Sequence, residues 1–298
     1  MPIANNFTKK VDNKNLYEMK IAFNEYNGLF QLVNAPKPKK LFNDNYAFIS
    51  STSKSMRIHF KNVANNIKKM MKKNNKIMEI GCNDGIFLEN FKNYDHLGVE
   101  PSKNVYEISK SKKLKVLKSF FNKKLIKEKN LDNKFDYIFA ANVICHIPDI
   151  VNLFRCVEKS LKQDGVFIFE EPYLGSMLEK TSYDQIYDEH FYMFSATSII
   201  SIIEEFDLHL VKAEKISTHG GSMRYYVKKT NSPRMSKQLK KILTYEKKIK
   251  ITKIQTIKRF AKNCLNSKKR ILKILNEIKK KGKDIYGYGA TSKSTTIL

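Results

Sequence analysis

The middle of the chain repeats one pattern, in which a short apolar run is followed by a stretch with apolar residues at helical spacing. Runs of this length, bounded by turn residues, predict strands. The predicted strands lie at 77–81, 96–100, 115–118, 135–141 and 166–171. The predicted helices lie near 85–93, 103–110, 122–128 and 149–162, with a further one at 53–73. This alternation predicts an α/β fold, a doubly wound parallel sheet covered by helices.

The pattern changes on both sides of this region. Residues 1–45 are polar and irregular, and we expect the N-terminus to be loosely folded. Later strands at 206–211 and 223–227 are expected to close the sheet, with His219-Gly220-Gly221-Ser222 as the turn between them. Residues 284–288 predict a fresh strand that runs into a glycine loop, which is the opening of a second α/β unit. A βαβ unit needs more residues than follow, so we expect it to be truncated.

The positive charge is concentrated in one segment. Residues 228–283 hold 21 Lys and Arg against two Glu, so 19 of the 27 net positive charges lie there. Apolar residues recur at helical spacing within it, which predicts long amphipathic helices with a solvated lysine face. Aromatic residues barely interleave with these lysines, whereas single-strand binders need stacking platforms. We therefore expect no specific nucleic-acid partner.

Composition also indicates the cellular location of the protein and the redox state of its cysteines. The chain has 298 residues, of which 42% are hydrophobic, enough for one substantial core. No apolar run approaches the roughly 20 residues of a membrane span, and the first residues do not resemble a signal peptide, so we expect a cytoplasmic protein without a membrane partner. The four cysteines are scattered without C-x-x-C pairing, which is typical of reduced thiols and predicts no metal site.

A glycine turn follows the first predicted strand. Glu79 ends the strand, and Gly81-Cys82-Asn83-Asp84-Gly85 forms the turn. Glu100 ends the next strand, 19 positions beyond Gly81, at the spacing of an acid that bonds both ribose hydroxyls of a nucleotide ligand. The turn is not G-x-G-x-x-G, and it offers no run of amides to a pyrophosphate. An acid before the turn suits a ligand with an amino acid end and no phosphate, which S-adenosylmethionine is.

Two further groups of residues carry candidate chemistry. Asn142 and His146 follow the strand at 135–141 and are expected at the ligand cleft, although a lone histidine there is more often a packing or capping residue. The segment 183–195 combines tyrosines, acids and His190, which can orient a substrate and accept a proton near neutral pH. The alternative is an aromatic-rich helix whose acid and histidine face water. No Asn-Pro-Pro-Tyr, P-loop or metal signature occurs.

With these residues laid out, the chain resembles the sugar C-methyltransferases, which methylate carbon 3 of nucleotide-linked 4-keto deoxysugars. Six motifs carry the resemblance, in order, over nearly the whole chain: Glu79–Gly85, Ala141–Pro148, Glu170–Leu174, Tyr183–His190, His219–Arg224 and Gly287–Ala290. The resemblance implies a class I methyltransferase sheet that binds S-adenosylmethionine. It also implies that the Tyr/Glu/His cluster faces the sugar and that the tail domain helps to hold the nucleotide sugar.

The resemblance assigns the expected roles residue by residue. The catalytic set is His190 as general base, with Glu189, Tyr187, His146 and Tyr46. The cofactor-binding set is Glu79, Gly81, Asn83, Asp84, Gly85, Glu100, Pro101, Ser102, Ser119, Phe120, Asn142 and Val143. The substrate-binding set is Tyr173, His219, Gly220, Arg224 and Lys293.

Three departures from the family pattern stand out. Asn24 and Asn27 replace the second cysteine pair of the family's N-terminal zinc domain, and no upstream pair is present, so we expect no zinc. The second α/β unit is cut short, so the chain resembles a family member truncated at both ends. Asp188 replaces the commoner histidine of the catalytic cluster, and Phe48 a tyrosine near Tyr46.

The expected organisation has four parts. Residues 1–52 are a degenerate remnant of the zinc domain, 53–230 the methyltransferase domain, 231–282 the basic helices, and 283–298 the start of the substrate-binding domain. The expected substrate is a small nucleotide sugar. Two alternatives stay open: a sugar or small-molecule O-methyltransferase, and a cofactor-binding fragment without activity.

Overall fold

A seven-stranded sheet forms the centre of the computed structural model, which describes residues 17–34, 36–288 and 292–297. Its strand order is β5-β4-β3-β6-β7-β10-β9. The strands are β3 (Lys76–Ile80), β4 (Asp95–Glu100), β5 (Val116–Lys118), β6 (Phe135–Ala141), β7 (Leu161–Pro172), β9 (His209–Ile216) and β10 (Ser222–Lys228). The first five run parallel, and β10 is antiparallel to both of its neighbours. This confirms the predicted doubly wound α/β fold.

Helices cover both faces of the sheet because successive strand residues point to opposite sides. Ile77 packs with α2 (Lys54–Lys68), and Met78 belongs to the cluster on the other face. That second face is covered by α4 (Lys123–Lys129), α5 (Ile150–Ser160), α7 (Ala196–Ile203) and α8 (Lys237–Lys248). The remaining helices are α1 (Pro38–Leu41), α3 (Lys103–Ser111), α6 (Leu174–Lys180), α9 (Ile254–Lys280) and α10 (Ser294–Ile297).

Several predicted elements differ from the structure. The helix expected near 85–93 is only a 3₁₀ turn at Leu88–Phe91, because the Asn90 side chain donates to the carbonyls of Ile86 and Phe87 and competes with helical bonding. The strand expected at 206–211 begins at His209, after a turn in which the Phe206 amide donates to Ile203. The strand expected at 284–288 is absent, since these residues pair with no strand among the described residues.

The described residues of the N-terminal part, from residue 17 on, are ordered, contrary to the expected loose fold. Strands β1 (Ile21–Asn24) and β2 (Leu29–Leu32) form a hairpin, and β2 pairs with β8 (Tyr192–Met193). The side-chain oxygen of Asn24 accepts from the amide of Tyr26 at 2.9 Å, and that of Asn27 accepts from Leu29 at 3.0 Å. Asparagine closes such turns through its own side chain. The two residues that replace the cysteines therefore hold the hairpin turn through hydrogen bonds.

The basic segment forms two helices, α8 and α9, as predicted. Only Thr256 and Phe260 of α9 are buried among the described residues. No helix within the described residues is both long enough and apolar enough to span a bilayer.

Candidate active site

A cavity of about 830 Å³ lies at the carboxyl ends of the parallel strands, where ligands bind in open α/β sheets. Its lining comes from two distant groups of residues. The cofactor side consists of Gly81, Asn83, Glu100, Pro101, Ser119, Phe120, Asn142 and Val143. The reaction side consists of Tyr46, His146, Tyr187, Glu189, His190, His219 and Lys293. The structure therefore brings most of the predicted site residues together.

The glycine turn after β3 packs against Val143 in the cavity lining. Gly81 has φ +68, and a Cβ at this position would lie 2.5 Å from a methyl group of Val143. Both the backbone conformation and the space therefore require glycine. Asn83 follows with φ 48; its amide donates to Glu100 at 2.9 Å, and its side-chain oxygen accepts from the amide of Ser50 at 3.0 Å. Hydrogen bonds of the turn therefore link the end of β4 to the N-terminal segment.

Glu100 is buried and lines the cavity from the end of β4. One carboxylate oxygen accepts from Asn83 and the other from the amide of Ser102 at 2.8 Å. Burial raises the pKa of Glu100, whereas these backbone donors lower it. Since each oxygen keeps a second lone pair, the carboxylate can still accept hydroxyl groups of a ligand.

Glu79 and Asp84 lie behind the turn and do not line the cavity. Oε2 of Glu79 has no hydrogen-bond partner among the described residues, and Lys112 lies 3.6 Å from Asp84. Burial, followed by the charges of Asp84 and Glu100, raises the pKa of Glu79 well above its usual value. Gly85 and Ser102 also lie behind the lining and support the turn. A cationic ligand end near this turn would favour the ionised carboxylate of Glu79.

The loop after β6 is held by an acid that the sequence did not single out. The amides of Val143 and Ile144 donate to the same oxygen of Glu171, at 3.0 and 2.6 Å. Burial raises the pKa of Glu171 to about 7. Glu170 and Glu171 end an apolar run together, and only the sheet register decides which of them faces this loop. The sequence alone therefore could not assign the role.

His190 and His146 lie side by side on the reaction side. Their ring centroids are 5.2 Å apart, and the Tyr187 ring lies 4.2 Å from that of His190. Nδ1 of His190 lies 2.8 Å from the carbonyl oxygen of Gln185. Because a carbonyl can only accept, Nδ1 carries the hydrogen and Nε2 keeps the lone pair. His190 therefore offers a proton acceptor of fixed orientation.

Burial sets the protonation states on the reaction side. It lowers the pKa of His146 to about 3, and it lowers the pKa of His190 well below the usual value, with His146 and Lys293 adding to the effect. Burial and the charge of Glu189 raise the pKa of Tyr46 and of Tyr187 well above 10.0. At neutral pH the histidines are therefore neutral acceptors, and the tyrosines are phenols that can donate.

The C-terminal residues reach the same cavity. Lys293 Nζ lies 3.5 Å from the carbonyl oxygen of His219, and the Thr296 hydroxyl donates to Ile186 at 2.6 Å. Burial lowers the pKa of both Lys293 and His219, that of His219 to about 4. Among the described residues of the lining, Lys293 is the one lysine or arginine.

Three residues predicted to bind substrate do not line the cavity. The buried Tyr173 hydroxyl donates to Glu246 at 3.0 Å. Arg224 donates to Glu170 at 2.6 Å and to Glu214 at 2.8 Å. Gly220 turns the chain with φ +82. The polar side chains of Tyr173 and Arg224 thus already bond within the protein.

Residues of the N-terminal segment outside the predicted site set also line the cavity. Phe42 contacts the His146 ring edge-on, with centroids 5.5 Å apart, and Phe48 and Ser50 lie near the glycine turn. Phe48 was noted only as a departure from the family pattern. Phe42 had no recognisable signal, because a loop residue gains its neighbours only from the fold of the rest of the chain.

Two family models match the chain. The model described as methyltransferase domain matches residues 56–213, and the model described as C-methyltransferase C-terminal domain matches residues 217–298. The curated C-methyltransferase NovU of Streptomyces niveus is 25% identical over 226 residues, which cover 74% of this chain and 54% of the relative. The chain thus spans about half the length of that curated relative.

Solved structures are also similar to part of the chain. A possible histamine N-methyltransferase from Thermotoga maritima is 20% identical with a TM-score of 0.45, covering 58% of this chain and 90% of its own. A protein from Pyrococcus horikoshii is 18% identical with a TM-score of 0.49, covering 61% of this chain and 94% of its own.

Proposed function

The chain belongs to the class I methyltransferase family, and we propose that it transfers a methyl group from S-adenosylmethionine to a carbon atom of a nucleotide-linked 4-keto deoxysugar. The observation that carries this proposal is the orientation of His190. Its Nδ1 hydrogen is fixed on Gln185, so that Nε2 is available as a base inside the cavity.

The residues present fit S-adenosylmethionine, which supplies an electrophilic methyl group when bound. The bare backbone of Gly81 lines the cavity, and Oε2 of the nearby Glu79 has no hydrogen-bond partner among the described residues, so a cationic amino acid end would be favoured there. Glu100 would accept the ribose hydroxyls. Pro101, Ser119 and Phe120 also line the cavity and would contact the adenine.

A carbon acceptor needs a base, because a sugar carbon is not nucleophilic until a neighbouring carbonyl acidifies its C–H bond. Nε2 of His190 would take that proton. His146 and Glu189 lie beside it, with 3.9 Å between His146 Nδ1 and a Glu189 oxygen. The negative charge of Glu189 would stabilise the imidazolium that forms when His190 accepts the proton.

The enolate oxygen needs hydrogen-bond donors. Tyr46 and Tyr187 line the cavity, and they keep their protons because burial raises the pKa of both phenols. Donors fixed where negative charge develops lower the barrier without reorganisation. Lys293 and His219, at the far end of the reaction side, would hold the nucleotide part of the substrate.

Solvent exchange tests this proposal. With a 4-keto sugar nucleotide in D₂O and no methyl donor, the wild type should incorporate deuterium at the carbon next to the ketone. His190→Ala should not, and it should lose about 10²–10⁴-fold in methyl-transfer rate while cofactor affinity stays near that of the wild type. Binding of the sugar nucleotide is measured first, so that a lack of exchange cannot be due to a lack of substrate binding.

The remaining outcomes separate the alternatives. Exchange that persists in His190→Ala would assign the base to His146. Methyl transfer without exchange, with a reduced sugar as the better acceptor, would indicate an O-methyltransferase. Cofactor binding without turnover on any sugar nucleotide would indicate an inactive cofactor-binding protein.

A further inference from the structure

Three soft metal donors meet at the cavity. One potential ligand atom from each of Cys145, His146 and His190 lies within 4.8 Å of the other two, and all three residues are buried. The sequence predicted no metal site, because Cys145-His146 and His190 lie in separate segments without the spacing of a metal motif. The structure brings them together through a 2.8 Å hydrogen bond from the Phe191 amide to the Cys145 carbonyl.

The donor set suits a cation of borderline softness. A thiolate and two imidazoles are the ligands that Zn²⁺ prefers, and zinc sites with three protein ligands keep a fourth position open. Ligand atoms around a tetrahedral zinc are about 3.5 Å apart. Side-chain movements of about 1 Å would therefore bring the three ligand atoms to binding distance of one cation. On binding, the thiol would release its proton to solvent and the sulfur would bind as thiolate.

Two details of the surroundings point to a ligand. Nδ1 of His190 already donates to the Gln185 carbonyl, the outer-shell bond that fixes the lone pair of a metal-binding histidine. Nδ1 of His146 is buried and has no hydrogen-bond partner among the described residues. A buried polar atom without a partner is costly, and a bound cation would remove that cost.

We propose that Cys145, His146 and His190 form an inhibitory site for a divalent zinc-like cation, with the fourth position open to the cavity. The cation would reach the buried thiol through the cavity, since His146 and His190 line it. A cation on His190 would occupy the lone pair that accepts the substrate proton. Metal binding and proton abstraction would then exclude each other, and this inhibitory part rests on the proposed function.

Cobalt tests the site without any activity assay. After removal of bound metal with a chelator, titration of the whole protein with Co²⁺ should give a thiolate-to-cobalt absorption band that saturates near one equivalent. Cys145→Ser should lose the band or weaken Co²⁺ binding at least about tenfold. Cys156→Ser is the matched control, because Cys156 is also buried but lies on α5 and is not one of the three grouped donors, and it should keep the band. Cys145→Ala is a second variant that lacks the thiol, and a cofactor-binding measurement checks that each variant is folded.

Activity measurements then separate metal binding at the site from inhibition of methyl transfer. Zn²⁺ should inhibit methyl transfer in the wild type, EDTA should restore it, and Cys145→Ser should need at least about tenfold more Zn²⁺ for the same inhibition. Absence of the band, or a band that is unchanged in Cys145→Ser, would overturn the site. Binding at Cys145 without inhibition would leave the site standing and would contradict His190 as the base.

Discussion

Glu100 is the side chain whose removal should most directly affect the cofactor. A buried carboxylate that accepts two ribose hydroxyls is worth about 1.5–3 kcal/mol, so Glu100→Ala should weaken S-adenosylmethionine binding about tenfold to a hundredfold. Calorimetric titration measures this. Asp95→Ala is a matched control, since it removes an exposed acid from the other end of the same strand. Equal affinity in wild type and Glu100→Ala would contradict the assignment.

The lowered pKa of His190 predicts an unusual pH profile. A general base works only when it is unprotonated, and burial moves the protonation of His190 well below pH 6.5. The acid limb of kcat/KM should therefore lie below pH 6.5, so that the rate does not fall between pH 7.5 and 6.5. A pH-rate profile measures it. An acid limb at or above pH 6.5 would mean that the base is in contact with water.

At the residue scale, the sequence predicted which side chains share the cavity better than it predicted their hydrogen bonds. Tyr46, His146, Tyr187, Glu189 and His190 lie together in the cavity as the motifs implied. Motifs cannot show which polar group is already bonded inside the protein. Whether Arg224 meets a substrate or Glu170 depends on the antiparallel register of β10 with β7, a property of the sheet that local sequence does not carry.

At the scale of elements, one carboxylate fastens α8 to the sheet domain. Glu246 is fully buried and accepts from the amides of Ala196 and Thr197, both at 2.8 Å, from the Thr197 hydroxyl and from Tyr173. It thus lies at the N-terminus of α7, where a negative charge is favoured.

Glu246→Gln should therefore destabilise the protein by about 2–3 kcal/mol, because the amide replaces an acceptor oxygen with a donor that faces N–H groups. Denaturant unfolding followed by far-UV circular dichroism measures the change. Lys247→Gln, on the same helix, should change the free energy of unfolding by less than about 0.5 kcal/mol. Equal stability of the two variants would contradict the anchoring role.

The elements that the sequence predicted correctly are those with strong periodicity. β3 to β7 and the helices between β4 and β7 follow the expected order, because burial against two layers leaves a clear apolar pattern. The N-terminal hairpin was missed, since β2 is completed by β8, about 160 residues further on. The strand expected at 284–288 was wrong because an apolar run becomes a strand only beside a partner.

At the scale of the whole molecule, the cavity joins the segments matched by the two family models. Lys293 lies in the C-terminal segment, yet it lines the cavity beside His219. Lys293→Met should weaken sugar nucleotide binding about tenfold and leave S-adenosylmethionine binding unchanged, because a charge-assisted bond to a phosphate is lost. Lys283→Met is the matched control, since Lys283 is exposed. Equilibrium binding of both ligands decides it, and a loss confined to S-adenosylmethionine would contradict the assignment.

The pairing of β2 with β8 also bears on the order of events during folding. The cofactor side is built around turns close in sequence, such as Gly81 to Glu100, which close short loops and form early. The reaction side forms only after residues 29–32 pair with residues 192–193. This pairing closes a long loop, and such closure is slow. We therefore expect the cofactor side to be completed before the reaction side when the chain refolds.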